Sequence, residues 1–329
     1  MKVSICREYR KKFGWEMPTL KLARIVYSEN KLSFKDIEDA RYWLRYLEGK
    51  VAKKDKYLKT VINIENRTRN PYELPKSEET PYEPFIIKGH DFLGILSDIH
   101  LPYHDLDALS EAITQLKMVK DRAKNFALLL NGDTLDCHTL SRFIKDPKKR
   151  DFKFELDTLN NFLDRIEQIL NCQVYFKIGN HELRYEHFLH MKAHELKGIE
   201  QFEFANIIKA NQRGIPVIQA NQYMSINNLR GIHGHEYYSA FSPVNIARGL
   251  YLKSKVSSFQ GHNHQTSEHT ETDMNGKITT TWSIGCLSSL HPEYMPLNKH
   301  NHGFAYVELD SNGEDFNFYN KRIYKGKTL

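Results

Sequence analysis

Five places in this 329-residue chain put an aspartate, asparagine or histidine just past a run of apolar residues. The run from Phe126 ends in Asn131-Gly132-Asp133, with a second carboxylate at Asp136. Upstream, Leu93 to Ser97 leads into Asp98-Ile99-His100, and downstream Gln173 to Ile178 leads into Gly179-Asn180-His181-Glu182. Two further junctions follow, Ile232-His233-Gly234-His235 and Gly261-His262-Asn263-His264. Each puts its polar group where a buried strand runs out into solvent, the edge at which open α/β sheets bind ligands. Gly132 lets the backbone turn tightly between strand and carboxylate. Aspartate, asparagine and several histidines together suit divalent transition metals better than Ca²⁺ or Mg²⁺ alone.

The elements that must position these groups alternate from Phe92 onward. The pattern predicts a strand over 92–97, a helix near 105–120, a strand over 126–131, a helix near 155–170, a strand over 173–178 and a helix from about 181. Such alternation argues a parallel sheet with helical cover. After about residue 213 the pattern changes to short strands at 216–220, 223–232, 268–284, 303–309 and 315–324, with one helix near 243–255. Asn275-Gly276 marks a hairpin turn, and a second, largely antiparallel sheet packed on the first is expected.

Residues 1–64 read as a basic helical region, 65–88 as a proline-rich linker or extended strap, and 89–329 as the main domain. In the first region, Pro18-Thr19 opens a periodic run through Leu20, Ala23, Ile25 and Val26. Ser33, with Asp36 at capping-box spacing, opens a second helix, with Ile37, Ala40, Leu44 and Leu47 on one face and Gly49 as its stop. The pair resembles a helix-turn-helix. Arg41 and Arg45, followed by Lys50, Lys53, Lys54, Lys56 and Lys59, offer a cationic display to a phosphate backbone. A solvated helical face or a protein-docking module would carry the same charges.

Net charge is +6, and the first 60 residues hold 16 Lys and Arg against 8 Asp and Glu, so the remainder is slightly acidic. Hydrophobic content of 40% and charged content of 27% are ordinary globular values. No apolar run approaches the roughly 18 residues of a membrane span, and the N-terminus lacks a signal-peptide apolar region, so a soluble cytoplasmic protein is expected. Cys6, Cys137, Cys172 and Cys286 lack CxxC spacing and read as reduced thiols, Cys137 as a buried one.

Taken in order, Asp98-x-His100, Gly132-Asp133-x-x-Asp136, Gly179-Asn180-His181-Glu182, His233 and Gly261-His262-x-His264 resemble the five motif blocks of the calcineurin-like metallophosphoesterase superfamily. The resemblance covers about residues 92–310. It implies an α/β fold, a four-layer α/β/β/α sandwich, here preceded by a small N-terminal helical region. It also implies two divalent metal ions, Mn²⁺ first, with Fe, Zn²⁺ or Co²⁺ compatible with the same donors, and in-line attack on a phosphoester by a metal-bridging hydroxide. By resemblance Asp133 bridges the ions. Asp98, His100 and His264 complete one site, and Asn180, His233 and His262 the other.

His181 falls where the family has its general acid, with Asp136 holding its imidazole. The resemblance favours His233 over His235 as the ligand and leaves His235 toward the substrate. Arg184, three residues after His181, could reach a substrate phosphate, although a plain surface arginine fits as well. Serine/threonine phosphatases of the superfamily carry Arg-Gly after the second aspartate, where this chain has Cys137-His138. That departure and the basic N-terminal region favour a nucleic-acid or nucleotide phosphoester, DNA included, in a chain similar to bacteriophage or prophage members. Two other readings stay open: a small-molecule or nucleotide phosphomonoesterase, and a DNA-binding or scaffold protein with a vestigial site. The full set of ligand types argues against the last.

Overall fold

A near-continuous apolar run belongs in a sheet covered on both faces, and β3, Phe126–Asn131, apolar up to its final Asn131, is buried along its whole length. It lies at the middle of a seven-stranded sheet in a computed structural model that describes residues 2–51, 72–79, 81–142, 150–237, 244–292, 295–310 and 312–329. The chain divides into two units, Met1–Thr80 and Pro81–Leu329.

In the larger unit, β2 (Phe92–Leu96), β3, β4 (Gln173–Lys177) and β5 (Val217–Ile218) run parallel. β11 (His302–Leu309) then adds antiparallel to β2, followed outward by β12 (Phe316–Tyr324) and β13 (Lys327–Thr328). The second sheet has the order β1-β6-β7-β8-β10-β9, from β1 (Phe85–Ile86), β6 (Met224–Ile226), β7 (Leu229–Gly231), β8 (Ser258–Gln260), β10 (Ile278–Ser283) and β9 (Ser267–Thr272).

This partition corrects two expectations. The strands at 216–220, 303–309 and 315–324 complete the first sheet rather than the second. The second sheet is mixed, not largely antiparallel: β1 with β6, β7 with β8 and β8 with β10 are parallel. Local alternation marks a strand but not its partner; β11 pairs with β2 because Ala305 and Val307 share the inner face with Leu93 and Ile95. Phe85–Ile86, from the segment read as a strap, is hydrogen-bonded as an edge strand beside Met224 and Ser225.

The layers follow from which face each strand buries. Leu93, Ile95, Ala127, Leu129, Ala305 and Val307 meet Met224, Ile226, Phe259, Trp282 and Ile284 in one core between the sheets. On the outer face of the first sheet, Leu128, Leu130 and Phe176 meet α4 (Leu106–Lys120), α5 (Phe152–Leu170) and α6 (Leu183–Lys192) through side chains including Leu116, Leu163 and Leu189. On the outer face of the second, α7 (Ile246–Ser254) accepts a 2.7 Å bond from Thr281 Oγ1 at Ala247 O; its neighbour Trp282 faces the inner core. The result is an α/β/β/α sandwich. Asp105, Asp151 and Asn245 cap α4, α5 and α7 by accepting backbone N–H bonds. Among the described residues, no helix is long and apolar enough to cross a membrane.

The smaller unit contains α1 (Lys2–Phe13), α2 (Thr19–Glu29) and α3 (Ile37–Leu47) around Cys6, Leu22, Ala23, Val26, Phe34, Ala40, Leu44 and Leu47. Buried Arg10 pairs with Glu48 and donates 2.7 Å to Met17 O, which locks α1 against the end of α3. The second helix is capped by Asp36, whose carboxylate accepts from Asp39 N at 2.7 Å, and not by Ser33, whose N–H closes the preceding turn onto Asn30 O. Leu20 is exposed; the buried stripe of α2 runs instead through Leu22, Ala23 and Val26. Lys53, Lys54, Lys56 and Lys59 of the basic region, and residues 65–71 and 80 of the strap, lie outside the described residues.

Candidate metal centre

The ladder between β2 and β3 does not stop where the strands stop. Asp98 N donates to Gly132 O at 3.1 Å, His100 N to Asp133 O at 2.9 Å and Leu101 N to Thr134 O at 2.8 Å, so the two loops leave the sheet in register. The second sheet is tied to them through Asp98, whose Oδ2 accepts from His262 N at 2.9 Å and from Ser97 Oγ at 2.7 Å. Loops from both sheets therefore meet at one point, at the carboxyl ends of β2, β3, β4, β7 and β8.

Three groups of ligating atoms converge there, each with its atoms within 4.8 Å of one another: Asp98, His100 and His264; His100, Asp133 and His181; Asp133, His233 and His262. His100 Nε2 faces His264 Nε2 at 3.3 Å. Asp133 Oδ2 lies 3.2 Å from His233 Nε2 and 3.9 Å from both His100 Nε2 and His181 Nε2, while Oδ1 accepts from His181 N at 2.9 Å. Asn180 Oδ1 joins at 3.2 Å from His233 Nε2. Asp133 thus belongs to two of the three groups, with His100 and His181 in one and His233 and His262 in the other, and the imidazole nitrogens and carboxylate oxygens form a donor set suited to divalent transition metals.

His235 stands apart from these groups, with its ring 5.4 Å from His233 and its Nδ1 3.5 Å from Glu236 Oε2. His233, fully buried, has its Nδ1 on Asn131 O at 2.8 Å, which leaves Nε2 facing the carboxylate. Asp136 serves two rings: its Oδ1 lies 3.1 Å from His100 Nδ1 and 3.2 Å from His181 Nδ1. Arg184 donates 2.8 Å to Asp136 O and lies 2.9 Å from His181 Nε2. Arg41 and Arg45 belong to the helical unit, where Arg41 faces Glu38 at 3.3 Å. Cys137 is buried, and burial pushes its thiol well above the usual value, so it has no character of a nucleophile.

Electrostatics favour a cation at this point. Burial raises the carboxyls of Asp98, Asp133 and Asp136, but the surrounding imidazoles overcome it and hold all three below the usual carboxylate range. Burial alone would lower His233, yet the facing carboxylates push it up to about 10, and Asp98 likewise raises His264. A field that holds protons this firmly on two imidazoles favours a metal ion in their place.

The backbone is committed to the arrangement as well. Asp98, His100, Asp133, His262 and His264 all adopt left-handed conformations, with φ between 49° and 64°. Outside glycine such conformations are uncommon, and they cluster at functional sites. Gly179 allows an approach that no other residue could: a Cβ there would strike the Asp133 carboxylate and its backbone nitrogen. We expect Gly179→Ala to fold, by circular dichroism, but to lose at least about 10²-fold in metal-dependent phosphoester hydrolysis, because displacing a reacting group by about 1 Å costs that much. Activity within a factor of three of the parent would show that the tight contact is not needed.

Several supporting residues carry no isolated sequence signal. Glu182, fully buried in the Gly179-Asn180-His181-Glu182 block, accepts from Asp133 N at 3.0 Å, Leu135 N at 2.9 Å and Gly179 N at 2.9 Å. Glu155 on α5 accepts from Cys137 N at 2.6 Å and so fixes the loop of Asp136. The His300 ring lies 4.6 Å from that of His264, tilted by 55°. Cavities of about 450 Å³ beside Phe126 and Gln173 and about 610 Å³ beside Arg230 and Ile278 open where their strands begin, away from the converging groups.

A family profile described as calcineurin-like phosphoesterase matches residues 93–281, more than half of the chain, and spans all five junctions. No curated protein matches the sequence.

Proposed function

This chain belongs to the calcineurin-like phosphoesterase family, whose members are metal-dependent phosphoester hydrolases, and from that premise we propose a dinuclear hydrolase of nucleic-acid or nucleotide phosphoesters. The observation that carries the dinuclear reading is that Asp133 belongs to two groups of converging ligand atoms, one with His100 and His181 and one with His233 and His262. Asp98, His100 and His264 would hold one ion and Asn180, His233 and His262 the other, with Asp133 as the shared ligand. Mn²⁺ is the ion we expect, with Fe, Zn²⁺ and Co²⁺ compatible with the same donors. Ions bound there would polarise the phosphoryl oxygens and lower the pKa of water for in-line attack.

The remaining steps belong to side chains. His181 Nδ1 donates to the Asp136 carbonyl at 2.8 Å, with the Asp136 carboxylate 3.2 Å away. Its Nε2, which accepts from Arg184 in this structure, is the atom that would give a proton to the leaving oxygen once Arg184 turns to the phosphate. The same carboxylate orients His100, so metal binding and proton delivery share one anchor. Arg184, whose guanidinium already lies against His181, turns its N–H groups to the substrate phosphate.

The substrate assignment rests on the excess of 8 positive charges within residues 1–60 and on exposed Arg45 of α3. The test compares the Mn²⁺-loaded protein on bis-p-nitrophenyl phosphate, p-nitrophenyl phosphate, and single-stranded and duplex DNA. Diester and DNA cleavage is the expected result. We also expect Arg41→Ala with Arg45→Ala to flatten the salt dependence of DNA binding by about two phosphate contacts, a slope change of ~1.8. Monoester activity alone would sink the nucleic-acid assignment in favour of a small-molecule phosphatase. An unchanged slope would remove the two arginines from it.

A further inference from the structure

Lys177, the last residue of β4, has a fully buried side chain. Lysine is almost never so buried without partners. Here all three ammonium protons find acceptors: Gln219 O at 2.7 Å, Ala220 O at 2.8 Å and Glu236 Oε1 at 3.0 Å. Glu236 is in turn engaged at both oxygens, since Oε1 accepts from His233 N at 3.1 Å and Oε2 from Gly234 N at 2.7 Å.

The pair spans a gap that no ladder closes. β4 belongs to the seven-stranded sheet and continues three residues to Asn180; β7 belongs to the six-stranded sheet and continues two residues to His233. Apart from the bonds of Asn131 to His233 and Ile232, the separation of those two ligands is set by apolar packing between the sheets, which has no direction. Two charged groups that exhaust each other's hydrogen bonds do have direction. Lys177 also pairs in the sheet with Asn131, whose carbonyl holds His233 Nδ1 and whose side chain donates to Ile232 O at 3.1 Å.

We propose that Lys177 and Glu236 are positioning residues that form an internal strut between the two sheets, fixing His233 against Asn180 and so setting the affinity of the second metal position. This rests on the reading of Asn180 and His233 as ligands of one ion. The other position, from Asp98, His100 and His264, has no bond to either strut residue and is expected to be insensitive to it.

The test is titration calorimetry of Mn²⁺ into the full chain, as the parent, Lys177→Met, Glu236→Gln and the double variant. The double variant leaves no unpaired buried charge, so it separates positioning from loss of fold, because neutral replacement of both members of a buried pair is often harmless to stability. We expect the parent to bind two ions. Each variant that folds should keep one within about threefold and bind the other about 10- to 100-fold more weakly, the scale of losing an outer-shell partner. A double variant that binds both ions as the parent does would overturn the strut while leaving the dinuclear reading intact. Equal weakening at both positions would also overturn it, since that would be general loosening. A parent that binds one ion would overturn the dinuclear reading and the strut together.

Discussion

Asp133→Asn should lower metal-dependent hydrolysis by about 10³-fold or more, the largest loss expected from a single exchanged atom in this chain. The reasoning starts from how much converges on one carboxylate. Its Oδ1 is taken up by the His181 backbone N–H, and its Oδ2 lies 3.2 Å from His233 Nε2 and 3.9 Å from His100 and His181 Nε2. An amide keeps the size but loses the charge and one acceptor, so it could not offset the charge of two cations at the proposed centre while still accepting from the His181 N–H. Several kcal/mol of charge stabilisation depend on such ions, and each 1.36 kcal/mol is tenfold in rate. The measurement is Mn²⁺-dependent turnover of bis-p-nitrophenyl phosphate beside ion stoichiometry by calorimetry. A variant that stays within tenfold of the parent with two ions bound would show that Asp133 is not shared.

His181→Asn should cost about 10²- to 10⁴-fold on substrates with alkoxide leaving groups, the usual contribution of a positioned general acid. On p-nitrophenyl esters the cost should be much smaller, because p-nitrophenolate leaves without a proton. The leaving-group contrast matters because the geometry allows His181 two roles. Its Nε2 lies with His100 and Asp133 in a group that could hold a metal, while Nδ1 donates to the Asp136 carbonyl; the acid role requires Arg184, which donates to Nε2 here, to turn away so that Nε2 carries the proton. Burial lowers its pKa, and the carboxylates of Asp133 and Asp136 more than restore it, which suits a group that must carry a proton. A ligand would behave differently. Loss independent of the leaving group, with weakened metal binding, would make His181 a ligand and not the acid.

Much of the centre was legible because strand ends are legible. An apolar run followed by a carboxylate or imidazole states both where a strand stops and what stands there, and all five such junctions meet at one point in the sandwich. Partners across sheets leave no such mark. Val217–Ile218 and His302–Leu309 read correctly as strands, but nothing local says that they flank β4 and β2 rather than each other. The second task of Asp136, behind His100 as well as His181, needs the register of two loops 36 residues apart in sequence. Lys177 illustrates the opposite failure, since a lysine ending a strand reads as a solvent-facing residue and gives no hint of an acceptor at residue 236. The cap of α3 was misread by one candidate, because Ser33 and Asp36 both carry capping side chains and only the backbone turn at Asn30 decides between them.

The left-handed backbone at Asp98, His100, Asp133, His262 and His264 sets evolution of stability against evolution of activity at the same five codons. Each such conformation costs a non-glycine residue about 1 kcal/mol or more, and five together approach the whole net stability of an ordinary domain. Glycine would adopt every one of them at lower cost. A search for thermostable variants, guided by melting temperature alone, would therefore enrich changes that erase the centre, and its survivors should be sorted by metal content before heat resistance.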